Sequence, residues 1–267
     1  AIKLFQRGGG DITGAIVARC LDADLYENWT DVSGFLSADP RIVQNPRAIG
    51  RITFDEMREL SYMGASVLQE EAIFPVREAN IPIQIKNTNR PEDVGTVIRE
   101  TADGDTNEHL ITGIAGKKDF LAIHVKKAHM SNEVGVISRA LNIVERYGVS
   151  VEHIPTGVDS FGIVVNASDV KDTVYSIISD IRREIEPDDI TMVDRLALVS
   201  VVGRNMSRRS GTSGKIFGAL GNAGVNIRMI TQSSEEISII VGVDNADFDR
   251  TIGVIYNGFV RDEMVSR

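Results

Sequence analysis

A glycine cluster near the start of the chain has the clearest capacity for chemistry. Arg7, Gly8, Gly9, Gly10 and Asp11 lie between a short strand-like stretch and an apolar pattern of helical spacing. Free N–H groups at the start of a helix bind anions, and glycines let a ligand approach the main chain closely. The arginine can grip a carboxylate or phosphate with two N–H groups, and Asp11 can orient a cation. A glycine turn alone is equally typical of an ordinary loop.

A second polar group follows the next predicted strand, at residues 25–32. Thr30 and Asp31 end this strand, and Asp39 and Arg41 stand in the polar turn beyond it. This arrangement is typical of a sheet edge that contacts a nucleotide. It is also typical of helix caps and turns, whose residue types are the same. Both interpretations stay open on the residues alone.

The composition excludes several classes of function. The chain has 267 residues and a formal net charge of −9, so it has no broad positive surface for nucleic acid or an anionic membrane. Its longest apolar runs, about six residues, are far shorter than the roughly 20 that a membrane span needs. The single cysteine, Cys20, permits no disulfide and suits a reducing cytoplasm, and the four histidines lack metal-ligand spacing. We therefore expect a cytoplasmic protein without a protein metal cage.

Alternating strand and helix patterns over the first hundred residues predict an α/β layer domain. Residues 100–109 contain no large apolar side chain and indicate a boundary. Predicted strands cover 2–5, 25–32 and 81–86, and predicted helices cover 12–21, 54–65 and 68–79.

The remaining chain contains an internal repeat. Residues 148–165 match residues 224–241 at an offset of 76 without a gap. Each copy follows the strand and helix order of a ferredoxin-like module. The first copy predicts strands at 119–126, 149–155 and 160–166 with helices at 133–147 and 170–184. The second predicts strands at 195–202, 225–231 and 236–243 with helices at 213–223 and 246–257. Two tandem modules are expected, with strand exchange between them as an open alternative.

Taken together, several segments resemble the aspartate kinase family. They are 5–14 (FQRGGGDITG), 29–34 (WTDVSG), 37–41 (SADPR), 62–68 (YMGASVL), 83–88 (IQIKNT), 203–206 (GRNM) and 211–216 (GTSGKI). The resemblance implies that residues 1–100 form the C-terminal lobe of an amino-acid-kinase fold and that 101–109 form a linker. It also implies that 110–190 and 191–267 are two ACT regulatory modules.

The resemblance carries roles for individual residues. It implies that Arg7 clamps a carboxylate of the substrate aspartate beside Gly10. Asp11 would orient a lysine of the family's opening phosphate loop, while the amides of Gly8 and Gly9 would face the phosphates. The residues expected to hold ATP, with Mg²⁺ bridging its phosphates, are Thr30, Asp31, Asp39 and Arg41. The implied reaction is phosphorylation of the aspartate side-chain carboxylate, the first step toward lysine, threonine and methionine.

The chain also departs from the family pattern. The opening phosphate loop has no counterpart, so we expect this chain to be part of a longer polypeptide and inactive by itself. Gly10 replaces a serine, Leu36 a tyrosine, and Ser66 a lysine, while Gln69 and Glu70 replace a His-Pro pair. These departures keep a second hypothesis open, namely a non-catalytic module that senses an amino acid.

An effector site is expected in the first ACT module. The turn that leads into the helix after Gly135 offers N–H groups and a positive helix end to an α-carboxylate. Glu152 could pair with a side-chain ammonium, which favours lysine over threonine; the alternative is an ordinary solvated strand residue. The resemblance implies a pocket lined by Met130, Gly135, Val136, Ile137, Ser150, Val151, Glu152 and Thr156. It also implies a homo-oligomer that pairs through the ACT modules.

Overall fold

The computed structural model describes residues 9–65, 67–68, 73–101 and 109–261, without the side chains of Arg208 and Arg261. The predictions for residues 2–5, Arg7, Gly8, Ser66, Gln69 and Glu70 lie outside the described residues. Residues 9–101 are named the first lobe below, and residues 109–261 the second lobe. The structure is a mixed α/β protein, which confirms the predicted fold class.

The first lobe is a four-stranded sheet with three helices. Strand β1 (Tyr26–Thr30) lies parallel to β3 (Ile83–Asn87), β3 is antiparallel to β4 (Thr96–Arg99), and β4 is parallel to β2 (Arg51–Thr53). The helices are α1 (Gly9–Cys20), α2 (Phe54–Tyr62) and α3 (Ile73–Glu78). The short strands β2 and β4 have no counterpart among the predicted elements, because three or four residues are too few to show a period.

Local sequence explains how α2 starts and how the sheet closes. Thr53 and Glu56 form a capping box, in which each side chain bonds the main chain of the other. Phe54, Met57 and Leu60 then share the buried face of this helix. Gly95 has a φ of 72°, and a Cβ there would lie 1.8 Å from the Ile85 carbonyl oxygen. Only glycine lets the turn before β4 approach β3 so closely.

The second lobe is one five-stranded sheet in the order β6-β5-β7-β9-β8. Two of its strands, β5 (Gly113–Lys126) and β7 (Asp189–Val202), are 14 residues long. The other strands are β6 (Ser160–Asn166), β8 (Met229–Gln232) and β9 (Ser238–Asp244), and the helices are α4 (Val136–Arg146), α5 (Val174–Ile185), α6 (Thr212–Asn222) and α7 (Phe248–Ile255). A π-helical segment, Tyr256–Arg261, follows α7.

The two long strands divide the second lobe into halves that share both strands. Half A contains residues 120–126 of β5, residues 189–193 of β7, β6, α4 and α5. Half B contains residues 113–117 of β5, residues 196–202 of β7, β8, β9, α6 and α7. Residues 113–117 thus pair with residues 198–202 and lie in half B. The expected boundary between residues 190 and 191 falls inside β7.

One predicted strand is wrong. Residues 149–155 form no continuous strand; this segment and the next residue make two isolated bridges to β6, His153 to Val164 and Thr156 to Phe161. Pro155 supplies no N–H group for a regular ladder, and its carbonyl instead accepts from Gly162 at 2.8 Å.

A shared core joins the two lobes. Phe54, Met57 and Leu60 of α2 belong to the same buried cluster as Phe120 and Leu196 of the second sheet. The lobes therefore pack as one apolar unit. No helix within the described ranges is both long enough and apolar enough to span a bilayer.

Candidate functional site

Asp11 lies in the first turn of α1 and is held there by β1. The Asn28 side-chain amide donates to Asp11 Oδ1 at 3.0 Å, and the Tyr26 hydroxyl donates to the Asp11 carbonyl oxygen at 3.1 Å. The pKa of Tyr26 is raised mainly by burial and further by the charge of Asp11. The hydrogen bond with Asn28 lowers this pKa but does not cancel the rise. The phenol therefore stays protonated and keeps donating. These contacts fix the position of the carboxylate.

The start of α1 and the end of β1 lie at the same edge of the first sheet. Gly9 and Gly10 open the helix, and a Cβ on Gly10 would meet nothing within 4 Å. This position therefore has room for the serine of the resembled family. In open α/β sheets, ligands bind outside the carboxyl ends of parallel strands. Anion binding at Gly9, Gly10 and Asp11 stays a prediction.

Thr30 and Asp31 stand at this same edge. The Thr88 main-chain N–H and hydroxyl both donate to the Thr30 carbonyl oxygen, at 2.8 and 2.9 Å. The Thr30 hydroxyl in turn donates to Asp31 Oδ1 at 3.2 Å. Because the main chain after β1 is held by the residue that follows β3, both side chains have a defined place at the edge.

Asp39 and Arg41 form an ion pair beside a cavity. Arg41 donates from its main chain at 2.8 Å and from Nη2 at 2.6 Å to the Asp39 carboxylate. The hydrogen bond from Arg41 is the main cause that holds the pKa of Asp39 below its ordinary value, against partial burial. The Arg41 side chain is 87% exposed, so it can reach a ligand while it stays paired. The two residues thus offer one charged unit, a carboxylate and a guanidinium, at the cavity rim.

This cavity has a volume of about 450 Å³ and lies between the lobes. Its first-lobe wall includes Leu36 and residues 63–65, and its second-lobe wall includes residues 114–116 of β5 and Phe248 of α7. The volume and the mostly apolar lining are typical of small-molecule sites. Leu36, which replaces a family tyrosine, leaves this wall aliphatic. Of the predicted nucleotide residues, Asp39 and Arg41 line this cavity, and Thr30, Asp31 and Gly9 do not.

Half of the expected effector residues lie at or just before the start of α4. Met130 and Val136 are buried, Ile137 is half-buried, and Gly135 caps α4 with a φ of 82°. Ser150 is exposed and Val151 is half-buried.

Glu152 and Thr156 have more specific neighbours. The Glu152 main-chain N–H donates to the Val164 carbonyl oxygen at 2.8 Å, and its carboxylate accepts a hydrogen bond from the Tyr62 hydroxyl. Glu152 is therefore more than a solvated strand residue, because it bonds the last residue of α2. Thr156 lines a separate cavity with His124.

The sequence analysis missed a buried carboxylate between the lobes. Glu56 of α2 is fully buried and accepts from Arg204 Nη1 at 2.9 Å and from the Arg204 main-chain N–H at 3.0 Å. The Thr112 hydroxyl donates to it at 2.6 Å and the Thr53 main-chain N–H at 3.0 Å. The local capping-box pattern was available in the sequence. Its partners Thr112 and Arg204 are distant in the sequence, so no pattern near Glu56 indicates them.

Among the described residues, no group of three or more His, Cys, Asp or Glu side chains could hold a metal ion. A Mg²⁺ ion that is bound through nucleotide phosphates needs few protein ligands or none.

Two known families match separate parts of the chain. Residues 2–87 match the amino acid kinase family, and residues 199–259 match the ACT domain. The first match covers the predicted kinase lobe, and the second covers most of half B.

Individual relatives match nearly the whole chain. Aspartokinase 3 of Bacillus subtilis is 40% identical over 263 residues, which are 98% of this chain and 58% of the relative. The crystal structure of Clostridium acetobutylicum aspartate kinase is 52% identical with a TM-score of 0.92, and the match covers 96% of this chain and 59% of that one.

A more distant relative was solved with ligands. E. coli aspartokinase III in complex with aspartate and ADP (R-state) is 25% identical with a TM-score of 0.77, over 94% of this chain and 56% of that chain. The same enzyme in complex with lysine and aspartate (T-state) gives a TM-score of 0.78. The chain therefore spans less than three fifths of the length of each relative, and the matches agree with the resemblance read from its motifs.

Proposed function

The chain belongs to the aspartokinase family, and from this premise we propose that it serves in the ATP-dependent phosphorylation of the aspartate side-chain carboxylate under amino-acid feedback. The observation that carries the proposal is that Asn28 of β1 holds Asp11 in the first turn of α1, while Thr30 and Asp31 follow at the end of the same strand. E. coli aspartokinase III, with this fold, was solved with aspartate and ADP. A kinase lobe with a nucleotide edge and a regulatory sheet suits this reaction.

The proposed chemistry rests on positioning. Phosphoryl transfer requires aligned reactants and stabilised negative charge, with little covalent work by the protein. Main-chain N–H groups at Gly8 and Gly9 would face phosphate oxygens, and Asp11 would hold a cationic partner in place. Thr30, Asp31, Asp39 and Arg41 would contact the nucleotide, and Arg7 would clamp the substrate aspartate beside Gly10. Mg²⁺ bound to the phosphates would neutralise their charge.

The proposed feedback reaches the kinase lobe through α2. The first turn of this helix bonds Arg204 of half B through Glu56, and its last residue, Tyr62, bonds Glu152 of half A. Met63 and Gly64, directly after α2, line the cavity that Asp39 and Arg41 border. An ammonium group at Glu152 would compete with the Tyr62 hydroxyl. Effector binding would thereby loosen the C-terminal end of α2 next to the nucleotide edge.

Lysine is the proposed effector, with threonine next. The carboxylate of Glu152 suits a side-chain ammonium, which threonine lacks, and E. coli aspartokinase III was solved with lysine. We further propose a cytoplasmic homo-oligomer that pairs through the regulatory sheet. Its outer strand β8 has an edge without a partner strand within the described residues.

A non-catalytic amino-acid sensor is the second candidate. The departures at Gly10, Leu36 and Ser66 favour it, since Leu36 places an aliphatic side chain in the cavity wall where the family has a tyrosine. This sensor would bind an effector without turnover.

The test compares two carboxylates of the first lobe. Phosphoryl transfer from Mg-ATP to aspartate is measured on the full-length gene product. Asp11→Asn should lower kcat by about 10²-fold or more, as expected for a positioning group in a charged site. Asp24→Asn, at an exposed position, is the matched control. Equal rates for Asp11→Asn and the unchanged protein would refute the catalytic assignment.

Binding is measured separately on the 267-residue chain. Calorimetry with Mg-ATP should show binding weaker than micromolar. A thermal-shift series with lysine, threonine, methionine and aspartate should show stabilisation by lysine that follows RT ln(1 + [L]/Kd). Glu152→Gln should weaken lysine binding by about 1–3 kcal/mol. Stabilisation by threonine alone would contradict the lysine assignment. Lysine binding without phosphoryl transfer by the full-length product would favour the sensor.

A further inference from the structure

The second lobe carries a cavity on the face of its sheet opposite α4 and α5. Leu121, Ile123 and Val125 of β5 point toward the helices and form the core of half A. Ala122 and His124 alternate with them and therefore face the other way. A cavity of about 260 Å³ opens on that side, between half A and the start of β8. It is separate from the Asp11 edge and from the start of α4.

The cavity has a cationic and hydroxylic lining without a carboxylate. Its polar side chains, within the described residues, are His124, Thr156, Ser160 and Arg228. The chain as a whole has 38 acidic and 29 basic residues. A cavity lined by a histidine and an arginine but by no aspartate or glutamate is therefore unusual for this chain. Burial first, and then the charge of Arg228, lower the pKa of His124. The imidazole and the guanidinium therefore lie close enough to repel each other when both are charged.

Arg228 has no ion pair within the described part of the chain. Its main-chain N–H donates to the Gly242 carbonyl oxygen at 2.7 Å, which fixes the backbone at the start of β8. The guanidinium carries five N–H donors in a planar fork that matches a carboxylate. A cation on a fixed backbone, beside hydroxyl groups, is suited to receive an anion.

Glycine and a short loop preserve the space. A Cβ on Gly162 would lie 3.0 Å from Pro155 Cγ and 3.5 Å from His124 Nδ1. The loop from Pro155 to Ser160 is closed by two main-chain bonds, from Gly162 to Pro155 at 2.8 Å and from Gly157 to Ser160 at 2.7 Å. The wall near His124 is thus held by the main chain and does not depend on a flexible side chain.

The rest of the lining is apolar. It consists of Phe161, Pro155, two glycines and the mostly aliphatic side chains of Ala122, Val164, Val193, Leu196, Met229 and Ile230. A fully hydrated phosphate gains nothing from such walls, whereas a branched hydrocarbon group does. An amino acid would also bring an ammonium group, for which the lining offers no carboxylate. These features distinguish the cavity from the effector site around Glu152.

We propose that this cavity binds a small organic carboxylate with a branched apolar body and without an amino group. The carboxylate bonds Arg228 and His124, with Thr156 and Ser160 as further donors, and the hydrocarbon part packs on the aliphatic wall. The proposal is independent of the kinase activity proposed above. It adds a second ligand site on the face of half A opposite its helices.

The test uses isovalerate as the probe and calorimetry on the 267-residue chain. Isovalerate should bind with a Kd of about 1 mM or tighter. Arg228→Gln should weaken binding at least about tenfold, the loss of one charged hydrogen bond, and His124→Gln should weaken it less. Arg250→Gln, an exposed arginine of the same half B, is the matched control and should leave the affinity unchanged.

Three outcomes would overturn the proposal. The first is saturable binding of isopentylamine, which has the same branched hydrocarbon group but an ammonium in place of the carboxylate. The second is equal affinity for inorganic phosphate and isovalerate, and the third is no isovalerate binding below about 20 mM. Melting curves of Arg228→Gln and Arg250→Gln should coincide, so that lost binding reports the site and not unfolding. Recovery of part of the affinity in Arg228→Lys would support direct contact with the anion.

Discussion

Replacing Glu56 by glutamine tests the contact that joins α2 to half B. Glu56 is fully buried, and its two carboxylate oxygens accept from Thr53, Thr112 and Arg204. Glutamine has nearly the same shape, so the change removes charge and one acceptor without opening a cavity. The consequence therefore reports the hydrogen bonds alone.

The magnitude follows from the geometry of these bonds. The glutamine oxygen is best placed at the former Oε2, where it still accepts from Arg204 Nη1 and the Thr53 N–H. Its amide nitrogen then faces the Thr112 hydroxyl, which can turn to accept, and the Arg204 main-chain N–H, which cannot. The hydrogen bond from Arg204 Nη1 loses its charged acceptor, which costs about 1 kcal/mol. The Arg204 main-chain N–H is left without an acceptor, which costs about 1–3 kcal/mol. Glu56→Gln should therefore lower the free energy of unfolding by about 2–4 kcal/mol.

Urea unfolding measures this loss with two probes. Circular dichroism follows the whole chain, and the fluorescence of Trp29, the single tryptophan, follows the first lobe. Glu59→Gln, one turn along α2, is the control and should change stability by less than about 0.5 kcal/mol. Glu56→Gln combined with Arg204→Met should cost less than the sum of the two single changes. A loss below about 1 kcal/mol for Glu56→Gln, or strict additivity, would refute the reasoning.

Three further predictions concern separate parts of the molecule. Gly95→Ala should destabilise the chain by about 3 kcal/mol or more in urea unfolding, since the left-handed backbone and the Ile85 carbonyl both oppose a Cβ. Burial lowers the pKa of His153 in the folded chain. Because the unfolded chain then binds a proton more readily than the folded chain, the free energy of unfolding should fall as the pH drops below about 6.5. His153→Gln should flatten this decline in pH-dependent thermal melts. Tyr62→Phe frees Glu152 and should raise lysine affinity by roughly two- to tenfold in calorimetry.

Each of these has a matched comparison. Gly50→Ala, where a Cβ meets nothing within 4 Å, should cost far less than Gly95→Ala. Parallel pH profiles of His153→Gln and the unchanged chain would contradict the histidine assignment. Tyr147→Phe removes a hydroxyl bonded to Asp180 in the same half and should leave lysine affinity unchanged. If it changes the affinity as much as Tyr62→Phe does, direct competition at Glu152 is wrong.

The sequence predicted elements with a strong period and missed those defined by tertiary contact. The strand predicted at 160–166 is found at Ser160–Asn166, and the helix predicted at 213–223 is found at Thr212–Asn222. Residues 149–155 alternate like a strand, yet Pro155 breaks the ladder there. Periodicity carries no information on which neighbour a strand receives, so residues 113–117 could not be assigned to half B.

The site shows the same division. The glycine cluster and the Asp39 to Arg41 turn are local patterns that the sequence shows directly, and their assignment to a nucleotide stays a prediction. Asn28, which holds Asp11, is a polar residue in a short strand, and nothing in its neighbourhood indicates its partner. Glu56 and Arg204 are separated by 148 positions, so only the packing of the two lobes brings them together.

The two shared strands also constrain how the second lobe can be assembled. Gly113 pairs with Val202 and Lys117 with Leu198, so residues 118–197 must be made and folded back before β5 is paired along its whole length. Half A is thus an insertion within half B, and half B is completed last during synthesis. Long-range pairing of this kind is slow to form. A chimaera that exchanges half A must therefore be spliced within β5 and β7, near Asp119 and Arg195, where positive φ angles already interrupt the regular strands.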